Sequence, residues 1–406
     1  MSVRVEPCRD HEQLAAALNA ISHYFGHHNT VEDAERFANW IDVERMHAAW
    51  DGVGIVGGAG AFTYELSVPG GRTVPSAGVT VVGVQPSHRR RGILTAMMRE
   101  QLEDVRARGE SVAWLWASES TIYTRFGYGL ASLVGDVDLP RERTAFARAL
   151  TPRGTIRAVE TDEALELFPP IHEAVLRERP GVFRRTRAWW ETRRLVDNPA
   201  WRQPGQGPLH RMVLELDGEP AAYALYRIAA SFEGFVSTGS VTVTEALGAT
   251  PEALAEMWRW LLEMDWTASI KASLLPLDHP LFLLLAEPRR LRCRVGDGVW
   301  VRLVDVGAAL SARAYATDEP LVLDVRDAFL PENAGRWRLE GGRAKRTDAA
   351  ADLALDVGDL GSVYLGGFTW RELRASLRVQ ELSDGVIERA DRVFGLWPKP
   401  WCPEIF

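Results

Sequence analysis

Two stretches of the chain alternate apolar and polar residues around a short polar turn. The first, RMHAAWDGVGIVGGAGAFTYELSV, turns at Asp51-Gly52, and the second, HRMVLELDGEPAAYALYRI, turns at Asp217-Gly218. Alternation around an Asp-Gly pair is typical of a β-hairpin, because these residues accept the left-handed backbone of a tight turn. We therefore predict one antiparallel pair of strands in each stretch.

Each hairpin is followed by the same order of elements, a strand, a helix and a strand. In the first copy these are GVTVVGV, ILTAMMREQLEDVRARG and SVAWLWAS, and in the second they are VSTGSVTVTEAL, TPEALAEMWRWLLEMD and TASIKASLL. Leu94, Met98, Leu102 and Val105 recur at helical spacing, which gives the first helix an apolar face. A repeated order with low residue identity indicates a duplicated domain and not a solenoid.

The remaining segments complete a three-domain pattern. At the N-terminus we predict a strand at 3–7 and helices at 10–23 and 31–40, with Thr30 as N-cap of the second helix. From Val295 onward, short apolar runs alternate with Gly-rich turns and two helices, which is an α+β pattern. The predicted fold class is α/β and α+β, with domains at 1–136, 137–294 and 295–406.

The composition is that of an ordinary globular protein. The 47 basic and 55 acidic residues give a net charge of −8, which argues against a general nucleic-acid binder. Three widely spaced cysteines suit neither a disulfide framework nor a zinc site, and we expect no metal. Without an apolar signal-peptide core or an apolar run of about 20 residues, the sequence predicts a soluble cytoplasmic protein with no membrane span.

Three arginines and a glycine join the strand and the helix of the first copy, in VTVVGVQPSHRRRGILTAMM. Unpaired backbone N–H groups and the helix dipole favour an anion at a helix N-terminus, and Gly92 allows a close approach. Because Arg89, Arg90 and Arg91 add positive charge, a pyrophosphate is the expected ligand. The alternative is a solvated basic corner. The second copy has ALGATPEAL in this place and is expected to have lost the ligand.

The sequence of this loop resembles a motif of a known protein superfamily. The pattern Arg89-x-x-Gly92-x-Leu94, after a V-x-V-x-P strand end, is similar to the acetyl-CoA loop of the GNAT superfamily, usually Q/R-x-x-G-x-G/A. Leu94 departs from that pattern. The sequence also closely resembles the Eis (enhanced intracellular survival) family in two segments, SHRRRGILTAMM and the later WASESTIYTRFGYGLAS. In that family a bulky residue is normal at the last position of the loop, which Leu94 occupies here. DLGSVYLGG and RTDAAADLALDV resemble the sterol-carrier-like domain of that family, so the resemblance covers nearly the whole chain.

The resemblance implies tandem GNAT folds, the second degenerate, and a C-terminal sterol-carrier-like domain. It implies direct acetyl transfer from acetyl-CoA to amines of polycationic acceptors, such as aminoglycoside-type molecules or lysine side chains, by an enzyme assembled as a homohexamer. The strand end would pair with the pantetheine arm and the loop would hold the pyrophosphate. The implied cofactor-binding residues are Val82, Gly83, Val84, Arg89, Arg90, Arg91, Gly92, Ile93, Leu94 and Thr95.

Catalytic roles also follow from the resemblance. The general acid of the family falls on Tyr123 in I-Y-x-R-F-G-Y-G, where a phenol with a pKa of about 10 can protonate the departing thiolate. Tyr128 is the competing candidate, and both tyrosines could instead be packing residues. The general base of the family is the chain's C-terminal carboxylate, here that of Phe406. Cys402 lies near the end of the sequence, but the sequence suggests no Cys/His pair, which argues against a covalent intermediate.

Four further residues are candidates for substrate binding. Phe25, Glu32 and Trp40 lie in or beside the first two helices, and Glu404 could attract a cationic amine. For Phe25 and Trp40 we expect a place in the core in preference to a pocket. The cluster Arg184, Arg185 and Arg187 with Trp189-Trp190 is interpreted as the surface of an amphipathic helix. Two other functions stay open at this point. They are a lipid or sterol carrier that uses the third domain, and a catalytically silent scaffold.

Overall fold

The computed structural model describes residues 3–199 and 202–406, which form two compact units. The first unit contains the residues up to Ser132, Val299–Trp397 and Ile405–Phe406. The second contains Leu133–Gly298 and Pro398–Glu404. The division therefore does not follow the three predicted domains, because the N-terminal and C-terminal thirds of the chain belong to one unit.

The N-terminal third folds as the hydrophobic pattern predicts. The hairpin around Asp51-Gly52 is present, and Thr30 caps its helix in a capping box with Asp33. The helix that it caps ends three residues earlier than predicted, at Phe37. The elements are β1 (Arg4–Pro7), α1 (His11–Ser22), α2 (Val31–Phe37), β2 (Met46–Trp50), β3 (Ile55–Val68), β4 (Arg72–Val84), α3 (Ile93–Ala107), β5 (Val112–Trp116), α4 (Ser120–Tyr123) and β6 (Gly129–Leu130).

The middle third repeats this order. The predicted hairpin turns at Asp217-Gly218, and both residues have positive φ, as a tight two-residue turn requires. The elements are β7 (Leu133–Pro140), β8 (Thr155–Ala158), α5 (Thr161–Glu178), α6 (Arg187–Trp189), β9 (His210–Leu216), β10 (Glu219–Ala229), β11 (Phe232–Glu233), β12 (Val236–Ser237), β13 (Ser240–Gly248), α7 (Pro251–Leu262), β14 (Ser269–Pro276), α8 (Leu281–Leu284) and β15 (Arg294–Asp297). Its main sheet has the order β15-β7-β14-β13-β10-β9-β8.

The last third has the predicted α+β pattern. Its own sheet has five strands in the order β19-β18-β17-β20-β21. The elements are β16 (Val299–Leu303), α9 (Val306–Ala312), β17 (Leu321–Arg326), β18 (Gly335–Glu340), β19 (Arg343–Arg346), β20 (Leu353–Asp356), α10 (Val357–Tyr364), α11 (Trp370–Ala375), β21 (Val379–Glu381) and α12 (Val386–Phe394).

Strand β16 explains why the first and last thirds form one unit. The first sheet has the order β1-β2-β3-β4-β5-β16-β6, so residues 299–303 lie between two strands of the N-terminal third. They pair antiparallel with β5, from Val299 opposite Trp116 to Leu303 opposite Val112. The apolar run VWVRL is typical of a buried strand. Its partner strand is distant in sequence, and local pattern gives no information about it.

The C-terminal segment also packs closely on the first sheet through helix α10. A Cβ atom placed on Gly129 of β6 would lie 1.7 Å from the carbonyl oxygen of Gly358, so the two backbones are in direct contact. Nearby, the fully buried Arg302 of β16 donates a 2.6 Å hydrogen bond to Asp327. Through these contacts, the C-terminal segment packs as one unit with the N-terminal third, which contains the predicted arginine loop.

Replacing Gly129 with alanine tests this packing. We expect Gly129→Ala to lower the free energy of unfolding by about 3 kcal/mol, because a methyl group cannot be accommodated against the Gly358 backbone. Gly54→Ala is the matched control, since a Cβ there would meet nothing within 4 Å. Denaturant unfolding of the two variants provides the measurement. Equal stability of Gly129→Ala and the wild type would rule out the close approach of the two backbones.

Candidate active site

The candidate site begins where strands β4 and β5 separate. Their parallel pairing runs from Ser76–Val112 to Gly78–Trp114 and, within the described residues, ends there. Further along β4, the register against β3 changes between Thr80 and Gly83, so that two residues of β4 face one residue of β3. Val81 lies in this bulge with a φ of 45°. A bulge bends its strand, and here it accompanies the separation of β4 from β5.

A cleft of about 530 Å³ lies beside the end of β4, beyond the point where it separates from β5. All the predicted cofactor residues except Arg91 line it, and so do Tyr123 and Phe25. The other lining residues come from the helices and loops at its rim, namely Ile21, Tyr24, His88, Ser118, Glu119, Ile122 and Arg125. The structure thus gathers the strand end, the basic loop and the predicted general acid around one cavity.

The N-terminus of helix α3 is open toward an incoming anion. Gly92 is its N-cap residue with a φ of 78°, and within the described residues no side-chain hydrogen bond caps this end of the helix. A Cβ at Gly92 would meet nothing within 4 Å, so the approach is unobstructed. Arg89 and Arg90 line the same cleft. Free N–H groups, the helix dipole and two guanidinium groups together favour a phosphate-like ligand.

A side-chain network that sequence reasoning missed holds the basic loop. The imidazole Nε2 of His88 lies 2.9 Å from Oδ2 of Asp51, and its Nδ1 lies 2.9 Å from the hydroxyl of Ser87. Hydrogen bonds from the backbone N–H groups of Val53 and Gly54 lower the pKa of Asp51, which keeps its carboxylate charged. The Asp51-Gly52 pair was interpreted only as a turn, and only the folded structure brings it beside His88.

Tyr24 fixes the other side of the cleft. Its hydroxyl donates a 2.8 Å hydrogen bond to the carbonyl oxygen of Val84, the last residue of β4. Tyr24 also lines the cleft beside Phe25. The bond ties the turn after helix α1 to the strand end. No local sequence signal indicates it, because the two residues are far apart along the chain.

The second copy has the same order of strand, turn and helix, but the N-terminus of its helix is capped. Only residues 249–250 connect β13 to α7, whereas residues 85–92 connect β4 to α3. The Thr250 side chain accepts the backbone N–H of Ala253, so it caps the helix. A Cβ at Gly248 would lie 2.5 Å from the Leu254 backbone nitrogen, which shows how tightly the turn is packed. A capped helix after a tight turn is consistent with the predicted loss of the anion site, which stays a prediction.

The two candidate tyrosines are now distinguished by position. Tyr123 lies at the end of α4 and lines the cleft, while Tyr128 is fully buried and is not among the lining residues. Their rings contact edge to face at 5.8 Å. Burial raises the pKa of Tyr123 to about 12, so its phenol is protonated at neutral pH. Tyr123 therefore lines the cleft with a protonated phenol.

Phe406 packs where the two strands separate. Its ring centroid lies 4.5 Å from that of Trp114 and 5.2 Å from that of Tyr64. A Cβ on Gly78 would come within 3.1 Å of the Phe406 ring. Gly78 and Trp114 form the last pair of β4 with β5. The terminal residue therefore sits at the base of the strand separation, held by aromatic contacts.

The weaker substrate candidates are dispersed. Phe25 is 62% exposed and lines the cleft, so the expectation that it belongs to the core is wrong. Exposed Glu32 and half-buried Trp40 do not line that cleft. Glu404 is buried within the second unit, where Arg185 lies 2.9 Å from its carboxylate. That ion pair argues against Glu404 as a free carboxylate for an amine.

The arginine–tryptophan cluster differs in part from its interpretation as an amphipathic surface, because Arg184 and Arg187 are exposed but the other three members are not. Arg185, Trp189 and Trp190 are all buried. The Arg185 guanidinium makes two hydrogen bonds to Glu245, of 2.9 and 2.6 Å. A buried arginine needs a carboxylate partner, and in this case the partner comes from a strand 60 residues away. Sequence spacing alone could not reveal that pairing.

Family models match three successive segments of the chain. Models described as "Acetyltransferase (GNAT) domain" match residues 9–131 and 181–303. A model described as "Sterol carrier protein domain" matches residues 306–403. The architecture is therefore two GNAT folds followed by a sterol-carrier-like domain, as the resemblance implied. Among residues 3–199 and 202–406, no helix is both long and apolar enough to cross a membrane.

Relatives match over nearly the full length. An uncharacterized N-acetyltransferase of Streptomyces avermitilis is 40% identical over 385 residues, 92% of either chain. The N-acetyltransferase Eis of Mycobacterium tuberculosis is 34% identical over 380 residues, 89% of this chain and 90% of that protein. The crystal structure of Eis1 from Mycobacterium abscessus superposes with a TM-score of 0.85 at 32% identity and covers 100% of both chains. A GCN5-related N-acetyltransferase from Anabaena variabilis, at 19% identity and a TM-score of 0.83, shares the fold.

Proposed function

Because the chain belongs to the Eis family of N-acetyltransferases, we propose that it transfers the acetyl group of acetyl-CoA directly to primary amines of polycationic molecules. One observation carries the cofactor assignment. The first copy leaves the N-terminus of α3 uncapped beside Arg89 and Arg90, whereas Thr250 caps the equivalent helix of the second copy. An uncapped, arginine-flanked helix is suited to a pyrophosphate.

The cleft residues fit acetyl-CoA by their chemistry. Arg89, Arg90 and the N–H groups of α3 would hold the pyrophosphate, and Arg91 would add charge from outside the lining. Beyond the bulge, the strand end Val82–Val84 lies next to β3 on one side, and its other edge offers backbone groups to the amide-bearing pantetheine arm. Acetyl-CoA supplies the thioester whose carbonyl carbon accepts the amine.

Two proton transfers complete the proposed reaction. The amine nitrogen bonds to the thioester carbonyl carbon, the carbon–sulfur bond breaks, and the sulfur leaves with the bonding electrons. Tyr123 donates its phenolic proton to that sulfur, which is consistent with its raised pKa and its place in the cleft wall. The carboxylate of Phe406 accepts a proton from the amine nitrogen. Its support is the packing of the Phe406 ring at the base of the strand separation.

The proposed acceptors are aminoglycoside-type molecules, or lysine side chains of peptides. Their positive charge is complementary to the net charge of −8, which favours their approach. Phe25 would contact the acceptor from the rim of the cleft, since it is exposed there. A cytoplasmic location and assembly as a homohexamer also stay predictions.

A lipid or sterol carrier is the second candidate, because a sterol carrier protein model matches residues 306–403. The two functions differ in one assay. The acetyltransferase releases free thiol from acetyl-CoA when amines are added, whereas a carrier co-purifies with lipid and releases none. A silent scaffold would do neither.

We expect the wild-type protein to release thiol with a panel of aminoglycosides and polyamines, and Tyr123→Phe to lower kcat by about 100-fold or more through loss of the general acid. The KM for acetyl-CoA should change little.

The pH profile of the wild type is a second test. Since burial raises the pKa of Tyr123 to about 12, the wild-type rate should not decline between neutral pH and about pH 10, the ordinary pKa of a phenol. Thiol release is followed with a chromogenic disulfide.

Tyr128→Phe is the control for this variant, because Tyr128 is buried behind the cleft and its hydroxyl has no hydrogen-bond partner among the described residues. An unchanged kcat in Tyr123→Phe would remove that residue from the mechanism. Failure of the wild type with every amine tested would contradict the transferase itself.

The role of the terminal carboxylate is tested by extending the chain. We expect a short Gly-Ser extension after Phe406 to abolish thiol release, because an amide nitrogen then replaces the proton-accepting oxygen. Binding of acetyl-CoA and the melting temperature should stay near their wild-type values. A fully active extended enzyme would exclude the carboxylate as general base.

A further inference from the structure

The second copy retains the separated strands of a GNAT cleft. Its β13 and β14 pair in parallel only from Ser240–Ser269 to Val243–Ala272. As in the first copy, a bulge follows, because the register against β10 moves from Val243 to Glu245 and leaves Thr244 as an extra residue. The same backbone device therefore opens a second cleft between β13 and β14.

Residues 398–404, here called the tail, belong to the second unit and lie in this second cleft. Trp401 and Pro403 line what remains of it, a cavity of about 20 Å³, which has room for about one water molecule. The Trp401 indole N–H donates to the carbonyl oxygen of Leu274 on β14. The Trp401 backbone N–H donates a 2.8 Å hydrogen bond to Pro180. No space is left in this cleft for a cofactor arm while the tail is bound.

Glu404 of the tail is held by a buried arginine, Arg185, which also pairs with Glu245. The guanidinium of Arg185 bonds to Glu245 immediately after the bulge, and its Nη2 also lies 2.9 Å from Glu404. The Trp189 indole N–H donates to both carboxylate oxygens of Glu404, at 3.1 Å each. All four side chains are buried. A buried carboxylate is costly unless it is paired, so Glu404 has a strong preference for this one position.

Two further contacts fit the tail to the second unit. Arg179 donates a 2.9 Å hydrogen bond to the backbone carbonyl of Lys399 and is itself held by Asp278 at 2.8 Å. Gly181, with a φ of 89°, lies so close that a Cβ would come within 2.9 Å of the Trp401 backbone. Glycine is needed here both for its conformation and for the approach of the tail.

We propose that the second GNAT fold has exchanged cofactor binding for tail binding, and that its cleft is an internal receptor for residues 398–404. Arg185 and Trp401 are the positioning residues. This role rests on the proposed function, since anchoring Glu404 restricts the terminal Phe406, and two residues span at most about 7 Å. The sequence change from QPSHRRRG to ALGATPEAL is then a change of ligand and not simple decay.

Hydrogen exchange of the full-length protein tests the receptor independently of activity. In Trp401→Ala we expect the backbone amides of residues 399, 401, 402 and 404 to exchange at least about tenfold faster, because the indole no longer holds them in the cleft. Trp397→Ala is the matched control, since Trp397 directly precedes residues 398–404 but is 75% exposed. Exchange that is unchanged in Trp401→Ala, or raised equally in both variants, would overturn the proposal.

Kinetics of the same variants separate positioning from folding. We expect Trp401→Ala to lower kcat about tenfold or more with little change in the KM for acetyl-CoA, because a misplaced catalytic group affects the chemical step. If Trp401→Ala does not fold, Glu404→Gln replaces it, since it removes the charge paired with Arg185 and keeps the shape. Faster exchange with an unchanged kcat would leave the receptor standing and count against the terminal carboxylate as base.

Discussion

The end of hydrogen bonding between β4 and β5 after Gly78 is the constraint from which the candidate site follows. Beyond this point β4 keeps its pairing with β3, but the polar backbone groups along its other edge need new partners, and a ligand with amide groups can supply them. The bulge at Val81 separates the strand from its neighbour, and Tyr24 holds its end. The cleft at this opening is lined by the basic loop, the uncapped end of α3 and Tyr123, which is why these three features form one candidate site.

The two GNAT folds show how the same backbone device can serve different ends. Both have a short parallel pairing followed by a bulge. In the first, a long loop and an uncapped helix leave an open cleft of about 530 Å³. In the second, Thr250 caps the helix, and the tail and the Arg185 ion pairs fill the space. Loop length and helix capping separate the two, and both are small changes in sequence.

Much of the fold and the outline of the site could be predicted, because they depend on local pattern. The Asp-Gly hairpins, the helix apolar faces and the arginine loop are each encoded within a few residues. The insertion of β16, the burial of Arg185 and the contact of Asp51 with His88 were not predicted. Each depends on a partner far away in the chain, so a charged or apolar residue looks the same locally whether it is paired or exposed. Helix α5 escaped prediction as well, since Pro169 and Pro170 lie inside it.

The difference between an open first cleft and a filled second cleft can be measured directly as a stoichiometry. Calorimetric titration of the full-length protein with acetyl-CoA should give one binding site per chain, because only the first copy keeps an uncapped helix beside arginines. Two sites per chain would contradict the closure of the second copy. No binding would contradict the assignment of the first cleft as the cofactor site.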